Sequence, residues 1–399
     1  MRWWVPLCAL VAGCLDFNNL DRCFGGVCGN ADAGGDSSAP PPAKSCVAQL
    51  TAGWTHTCAR KDGGSLWCWG FNNAGQTKQG VRDGARLSTP LRVYESGVES
   101  VAAGDSFTCA IVSTKVVCWG FNNHGQLSDG GASKAGPINV EGVERPAQLT
   151  AGFEHACALQ VGGKVLCWGN NARGQVGNGS TGDNVKPAEV KVDDVTELAA
   201  GFAHTCARKN TGGVVCWGAN SNGERGEADV RDRSQPGADV FQGAVRVAAG
   251  VAHTCAIKND GSLWCWGLNN VGQLGDGTTV SRNTPTRVLG LSNVVQVGMS
   301  GIQIKGEYGH TCARTQDGAV YCWGGNTGGE LGISPGDFSR EPVRVPNIDA
   351  ASALAVGGLH SCVARPGGVF CWGRGDDGQL GNGALAPNSP PVASLLTCP

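Results

Sequence analysis

Seven times along this 399-residue chain a cysteine is followed nine or ten residues later by a second one, giving Cys58/Cys68, Cys109/Cys118, Cys157/Cys167, Cys206/Cys216, Cys255/Cys265, Cys312/Cys322 and Cys362/Cys371. His56, His155, His204, His253, His310 and His360 stand two residues before the first cysteine of six pairs, and Phe107 takes that place in the second copy. One imidazole and two thiolates are zinc-ligand types, but a closed structural site needs four ligands and each copy offers three. The same cysteines could form a disulfide, with the histidine hydrogen-bonding or packing, or remain a pair of buried reduced thiols. The redox compartment decides between these readings.

The N-terminus, MRWWVPLCALVAGC, has one early positive charge, a short apolar run and small residues before Cys14. Such a run is a secretory signal and is too short to span a bilayer. Val11-Ala12-Gly13-Cys14 resembles the lipobox of bacterial lipoproteins, which implies cleavage before Cys14, a diacylglycerol thioether on its sulfur and acylation of the new amine. Ordinary secretion with cleavage nearby is the alternative. Leu15 rather than Asp follows the cysteine, which within that class implies the outer membrane. Residues 1–13 thus read as a lipoprotein signal peptide and 14–45 as a Gly-, Asp-, Ala- and Pro-rich flexible linker, with Cys23 and Cys28 expected to close a local disulfide. Export makes the disulfide reading of the repeated pairs the favoured one.

The elements that must position these pairs are strands. Successive first cysteines lie 51, 48, 49, 49, 57 and 50 residues apart, a period that signals a propeller or another array. The clearest copy runs from Gly250 to Gly277, GVAHTCAIKNDGSLWCWGLNNVGQLGDG. Placing Cys255 opposite Cys265 pairs Ala256 with Trp264 and Ile257 with Leu263, leaving the three-residue loop Asn259-Asp260-Gly261. All five ten-residue copies end this loop in glycine (Gly64, Gly163, Gly212, Gly261, Gly318), where a three-residue hairpin needs positive φ. The shorter copies leave Ser113-Thr114 and Pro366-Gly367, neither of the favoured Asn-Gly type, so irregular turns are expected there. Directly opposed residues in a non-hydrogen-bonded pair have Cα atoms about 4.5 Å apart, within reach of a cross-strand disulfide. Alternation puts His253 and the disulfide on one blade face and Trp264, Trp266, Thr254 and Ala256 on the other. Stacked blades would bring a Trp face against a disulfide face, making CWG a packing motif.

Composition agrees. Gly is 64 of 399 residues and charged residues are 16% of the chain, as in a turn-rich all-β protein. The formal net charge of -2 provides no basic footprint for nucleic acid or acidic lipid. Three tyrosines and unrepeated acids do not make a glycosidase or sialidase constellation, and no phosphate-binding Gly-rich loop precedes a helix, so neither a catalytic site nor a cofactor is assigned.

The segments AAGVAHT (Ala248–Thr254), LWCWG (Leu263–Gly267) and GQLG (Gly272–Gly275) together resemble the regulator of chromosome condensation (RCC) repeat family. GQLG recurs at Gly378–Gly381, with GQVG at Gly174–Gly177 and GELG at Gly329–Gly332, and it degrades to GQTK at Gly75–Lys78, GQLS at Gly125–Ser128 and GERG at Gly223–Gly226. The resemblance spans residues 46–399 and implies a seven-bladed β-propeller; the paired cysteines depart from its eukaryotic members and suit an exported version. Kelch and WD repeats fit less well. Ring closure in such a fold brings together the two cysteines left over, so a Cys46–Cys398 clasp is expected. The founding member's guanine-nucleotide exchange has a nuclear partner and does not transfer to an exported chain.

Deviations from a repeat fall on loops that can meet partners. Two stand out: the charged stretch Glu224–Gln242, with Glu224, Arg225, Arg231, Asp232 and Arg233, and the insertion Gly298–Gly309, with Ile302, Gln303, Ile304, Lys305 and Tyr308. The expected function is a non-catalytic, lipid-anchored scaffold of the cell envelope, monomeric, binding a protein through these loops. The family also contains a secreted bacterial propeller that inhibits β-lactamase by covering its active site. A propeller enzyme or lectin-like module acting on polysaccharide is the alternative, and nucleotide exchange the third reading.

Overall fold

The strand alternation and hairpin register expected from the repeat are realised in a computed structural model, which describes residues 45–78, 81–129, 134–183, 185–300, 303–304, 307–386 and 389–398. Cys14, Cys23, Cys28 and the expected signal and linker up to residue 44 lie outside the described residues, while Ser45, the last residue of the expected linker, is described and buried. In the fifth copy the strands Ala244–Ala249, His253–Lys258, Leu263–Gly267 and Arg282–Arg287 pair in that order as one antiparallel sheet. Seven such sheets follow one another along the chain, spanning residues 47–94, 98–139, 146–190, 195–218, 244–287, 294–344 and 353–393, here blades 1 to 7. The protein is an all-β, seven-bladed propeller.

First strands line the axis and fourth strands the rim. Blade 4 departs from the pattern: it has three strands, and the residues of the Glu224–Gln242 loop supply only the isolated bridges Val214–Phe241 and Gly218–Arg233 in place of a fourth. Blade 6 carries an extra two-stranded hairpin, Gln303–Ile304 with Glu307–Tyr308, inserted between its first and second strands.

The hairpin register is the expected one. Cys255 faces Cys265, Ala256 faces Trp264 and Ile257 faces Leu263. Gly64, Gly163, Gly212, Gly261 and Gly318 have φ between 75° and 90°. Every repeated pair is joined across its hairpin: Cys58–Cys68 in blade 1, Cys109–Cys118 in blade 2, Cys157–Cys167 in blade 3 and Cys206–Cys216 in blade 4. Blades 5 to 7 continue the series with Cys255–Cys265, Cys312–Cys322 and Cys362–Cys371. In all seven the Cα atoms are 4.1 Å apart, closer than the spacing expected from ideal strands. All fourteen of these cysteines are buried, so they belong to the core and present no sulfur to solvent. The Ser113-Thr114 turn is more regular than its sequence suggests: both residues take positive φ, 49° and 70°, as a type I′ turn requires, although neither is glycine.

Each blade stacks its disulfide face on the Trp face of the next. Cys255, Cys265, Ile257 and Leu274 of blade 5 share a core with Ala313 and Trp323 of blade 6. Likewise Cys58 and Cys68 pack with Trp119, and Cys157 and Cys167 with Trp217. The CWG tryptophans Trp69, Trp119, Trp168, Trp217, Trp266, Trp323 and Trp372 are all fully buried, as packing residues should be. The glycine that follows each is required by space: a Cβ on Gly267 would overlap the Ala252 carbonyl oxygen, and its φ is +108°.

Closure at the seam uses no shared blade. The first and last strands belong to different sheets, and the seam is joined instead by the Cys46–Cys398 disulfide and by the ordinary interblade contacts between blades 7 and 1. Lys61 Nζ also donates to the Thr397 carbonyl at 2.7 Å.

Candidate functional site

The histidines occupy the seams, not a reaction centre. His253 Nε2 lies 2.9 Å from Thr311 Oγ1 of the next blade, and Thr311 donates its hydroxyl proton to the Gln273 carbonyl of the GQLG loop at 2.8 Å. That proton being committed, the hydroxyl can only accept from the imidazole, so the neutral Nε2–H tautomer is the one held. The same relay links His56 to Thr108, His155 to Thr205, His204 to Thr254 and, across the closing seam, His360 to Thr57. His310 meets Ser361 in the equivalent place. GQLG carbonyls also accept the next tryptophan's indole, as in Trp323 to Gln273 and Trp69 to Gln379. GQLG is therefore the stitching between blades. Nδ1 of His56, His155, His204, His310 and His360 has no hydrogen-bond partner, and burial pushes these imidazoles down to about 3. The paired sulfurs being committed to disulfides, no group of three or more His, Cys, Asp or Glu side chains among the described residues is arranged for a metal.

Phe107 breaks the relay, and its partner position breaks with it: blade 3 carries Ala156 where other blades have Thr or Ser. Both residues are fully buried, so one polar pair has been replaced by one apolar pair. Phe107→His alone is expected to cost about 2 kcal/mol by burying an N–H without an acceptor. Adding Ala156→Thr should restore at least half of it, as read from urea midpoints; equal losses in the single and double variants would contradict the pairing.

The strands' antiparallel order sends the first-to-second and third-to-fourth connections to one end of the ring. Contacts confirm it: Glu154, in a first-to-second connection, accepts from Asn170 Nδ2 at 3.0 Å and lies 3.3 Å from His124 Nε2, both of third-to-fourth connections. The blade 6 hairpin and the blade 4 loop belong to this same end. The other end carries only the short hairpin turns and the fourth-to-first links.

At the blade 4 loop the sequence expectation is corrected. Glu224 and Arg225 are buried, because they occupy the Gln and Leu positions of GQLG. Arg225 bonds Glu227 at 2.9 Å and Asp229 at 3.3 Å, and burial lowers its pKa. These two residues hold the loop and cannot face a partner. Arg231, Asp232 and Arg233 are exposed; Asp232 pairs with Arg173 from the blade 3 loop, and that hydrogen bond raises the Arg173 pKa. Gln303, Ile304 and Tyr308 lie in the inserted hairpin, while Ile302 and Lys305 fall outside the described residues.

The residue after the AG of each first strand turns toward the axis at this end: Trp54, Asp105, Phe153 and Phe202 in blades 1 to 4. Trp54 and Phe153 have ring centroids 5.5 Å apart, and Phe202 stacks on Phe153 at 4.2 Å. Phe202 is 41% exposed. Backbone bonds of 3.0–3.2 Å pass from loop to loop, including Trp54 N to Asp105 O, Asp105 N to Phe153 O and Phe153 N to Gly201 O, and fix the positions of these side chains. Three aromatics at one repeat position, two half-buried and one exposed, are the sequence signal for this cluster.

This geometry is shared with known proteins. The profile described as "RCC1-like domain" matches residues 115–394, and that of the "Regulator of chromosome condensation (RCC1) repeat" matches 47–76 and 98–126. The chain belongs to the RCC1-like domain family. No curated protein sequence matches it significantly. Among solved structures, Prp20p of Saccharomyces cerevisiae is similar at 22% identity and TM-score 0.69, covering 79% of this chain and 81% of its own. Yeast RCC1 (Prp20) bound to Kap60 gives 20% identity and 0.72, with 92% and 91% covered. Human WBSCR16 gives 23% and 0.72, with 83% and 94% covered. At these identities the likeness is one of fold.

Proposed function

We propose that this chain is a non-catalytic scaffold, anchored to the bacterial cell envelope through lipid on Cys14, that recognises a protein partner with one end of its propeller. One observation carries the reading. The blade 6 hairpin, the irregular blade 4 loop and the aromatic rim of Trp54, Phe153 and Phe202 all emerge at the same end of a ring that is otherwise repetitive. An exposed aromatic cluster amid polar loops is typical of a protein-binding surface. The fold relatives lend support by class: the work on Prp20p concerns its binding to Gsp1p and histones, and another structure holds it with Kap60. A polysaccharide-cleaving reading needs opposed carboxylates, whereas the axial cavity has Asp105 as its one acid among the described lining residues. Nucleotide exchange is not carried over, because the N-terminus reads as an export signal. On the same reading the anchor faces the outer membrane, where a diacylated and acylated cysteine holds stably.

Cross-linking in intact cells with mass spectrometry tests both parts. The wild-type protein should fractionate with membranes and yield one dominant protein adduct. Cys14→Ser should move it to the soluble fraction, and deletion of residues 301–308 should spare folding but reduce the adduct at least fivefold. Membrane association without Cys14, or an undiminished adduct without the hairpin, would count against the respective half.

A further inference from the structure

The axial mouth is chemically more specific than a general contact surface. Its cavity of about 310 Å³ is walled by the first strands of all seven blades, largely Gly, Ala, Leu and Val. Among the described residues that line it, Asp105 is the single ionisable side chain, and no lysine or arginine is present. Asp105 sits in the blade 2 loop, hydrogen-bonded through its backbone to the loops of Trp54 and Phe153, whose ring centroids are 5.5 Å apart. Burial pushes its carboxyl up to about 7; the Ser106 hydroxyl opposes that, and neighbouring Glu154 adds to it. Among the described residues no lysine, arginine or histidine forms an ion pair with it. Aromatic faces beside a desolvated carboxylate form an environment selective for an organic cation, through the ring quadrupoles and the charge together. The volume is at the lower limit of ligand pockets and suits one extended side chain, not a folded element.

We propose that the mouth takes an arginine or lysine side chain projecting from the partner protein, its charge meeting Asp105 and its stem lying against Trp54, Phe153 and Phe202. This rests on the scaffold reading and adds the chemistry of the anchor residue. Such a side chain would be the buried centre of the interface, with the blade 6 hairpin and the exposed arginines and Asp232 of the blade 4 loop at its edge.

The binding test uses acetyl-Gly-Arg-Gly-amide, the same peptide with lysine, and its neutral citrulline analogue. The readout is the indole resonance of Trp54, assigned with Trp54→Phe. The arginine and lysine peptides should shift it with millimolar dissociation constants, citrulline at least tenfold more weakly, and Asp105→Asn should remove the difference. Equal binding of arginine and citrulline, or no effect of Asp105→Asn, would overturn the proposal. Tetramethylammonium serves as a second probe: if it binds tighter than the peptides, the site belongs to a free small cation and the side-chain assignment is wrong. Folding of Asp105→Asn is checked by its urea midpoint at pH 8, expected to equal or exceed wild type because an uncompensated carboxylate is removed. In cells, Asp105→Asn should lower the cross-linked adduct at least fivefold. An adduct lost on hairpin deletion but unchanged by Asp105→Asn would sink the cation inference and leave the scaffold standing; an adduct indifferent to both would remove both.

Discussion

Acid should unfold this propeller through its histidines before its carboxylates. His56, His155, His204, His310 and His360 are held down to about 3, and His253 to about 4, by burial, against 6.5 in the unfolded chain. The folded pKa is depressed, so the stability these groups confer is complete above pH 6.5 and is lost as pH falls toward 3. Each pH unit below 6.5 costs about 1.4 kcal/mol per histidine, so six acting together approach an upper limit of about 8 kcal/mol per unit. Few domains have more than about 15 kcal/mol to lose. The expected result is a urea midpoint that is flat above pH 7 and collapses between pH 6 and 4.5, with five to six protons taken up on unfolding near pH 5 as a rough figure from the same linkage. The structural reason is the relay: in five seams Nε2–H already donates to a threonine hydroxyl committed to a carbonyl, and a second proton would sit on Nδ1, which in five of the six histidines has no partner. Copying the blade 2 and 3 solution into the first seam, with His56→Phe and Thr108→Ala, should reduce the uptake by one proton. An uptake of two or fewer in the wild type, or no change in that variant, would refute this account.

The second large effect belongs to the clasp. Cys46 and Cys398 are 352 residues apart in sequence and 5.6 Å apart at Cα. Chain-entropy reasoning assigns a cross-link over such a loop about 6 kcal/mol, against at most about 3 kcal/mol for a hairpin staple of eleven residues. The difference is sharpened by topology. Each hairpin staple joins strands that would pair anyway, whereas blades 1 and 7 have no covalent neighbour relation other than this bond and share no sheet. Cys46→Ser with Cys398→Ser is therefore expected to lose about 5 kcal/mol, and both sites are half-buried, where serine is tolerated. Hydrogen exchange should quicken first at the facing strands of the seam, Val47–Ala52 of blade 1 and Ala353–Val356 of blade 7. A loss below about 1 kcal/mol would mean that the stitching from His360 to Thr57 and from Trp69 to Gln379 closes the ring unaided.

Much of this molecule can be read from its repeats because local rules and tertiary packing agree within them. The Cys255–Cys265 register, the positive φ of Gly261 and the division of residues between blade faces all follow from period-two alternation and hairpin loop length. The clasp follows from counting, once two cysteines remain at the ends of a ring. Where the reading faltered, the cause was context from another blade. Arg225 looked like a surface charge in a polar loop, yet the loop's asparagine and carbonyl bonds place its backbone where GQLG puts leucine, and the side chain has nowhere to go but inward. Phe107 takes the histidine's place in the second copy, and only its juxtaposition with Ala156 of the next blade shows a compensated pair.

The sequence by itself determined an array of seven cysteine-paired strand repeats and which blade face meets which, because these depend on spacings within about fifty residues; the closed ring was implied by the resemblance to the RCC repeat family, and the clasp by the two cysteines then left over. It also supplied the address from which an envelope location is proposed. Only the tertiary structure decided that the histidines bridge the seams as neutral Nε2–H donors, and that the variable loops, the hairpin and the aromatic mouth share one end of the ring. Trp54, Asp105, Phe153 and Phe202 are some fifty residues apart and share only their place after the AG of each repeat. They become a site because a propeller turns each repeat about a common axis, so that one position in the repeat, wherever it recurs, arrives at the same opening.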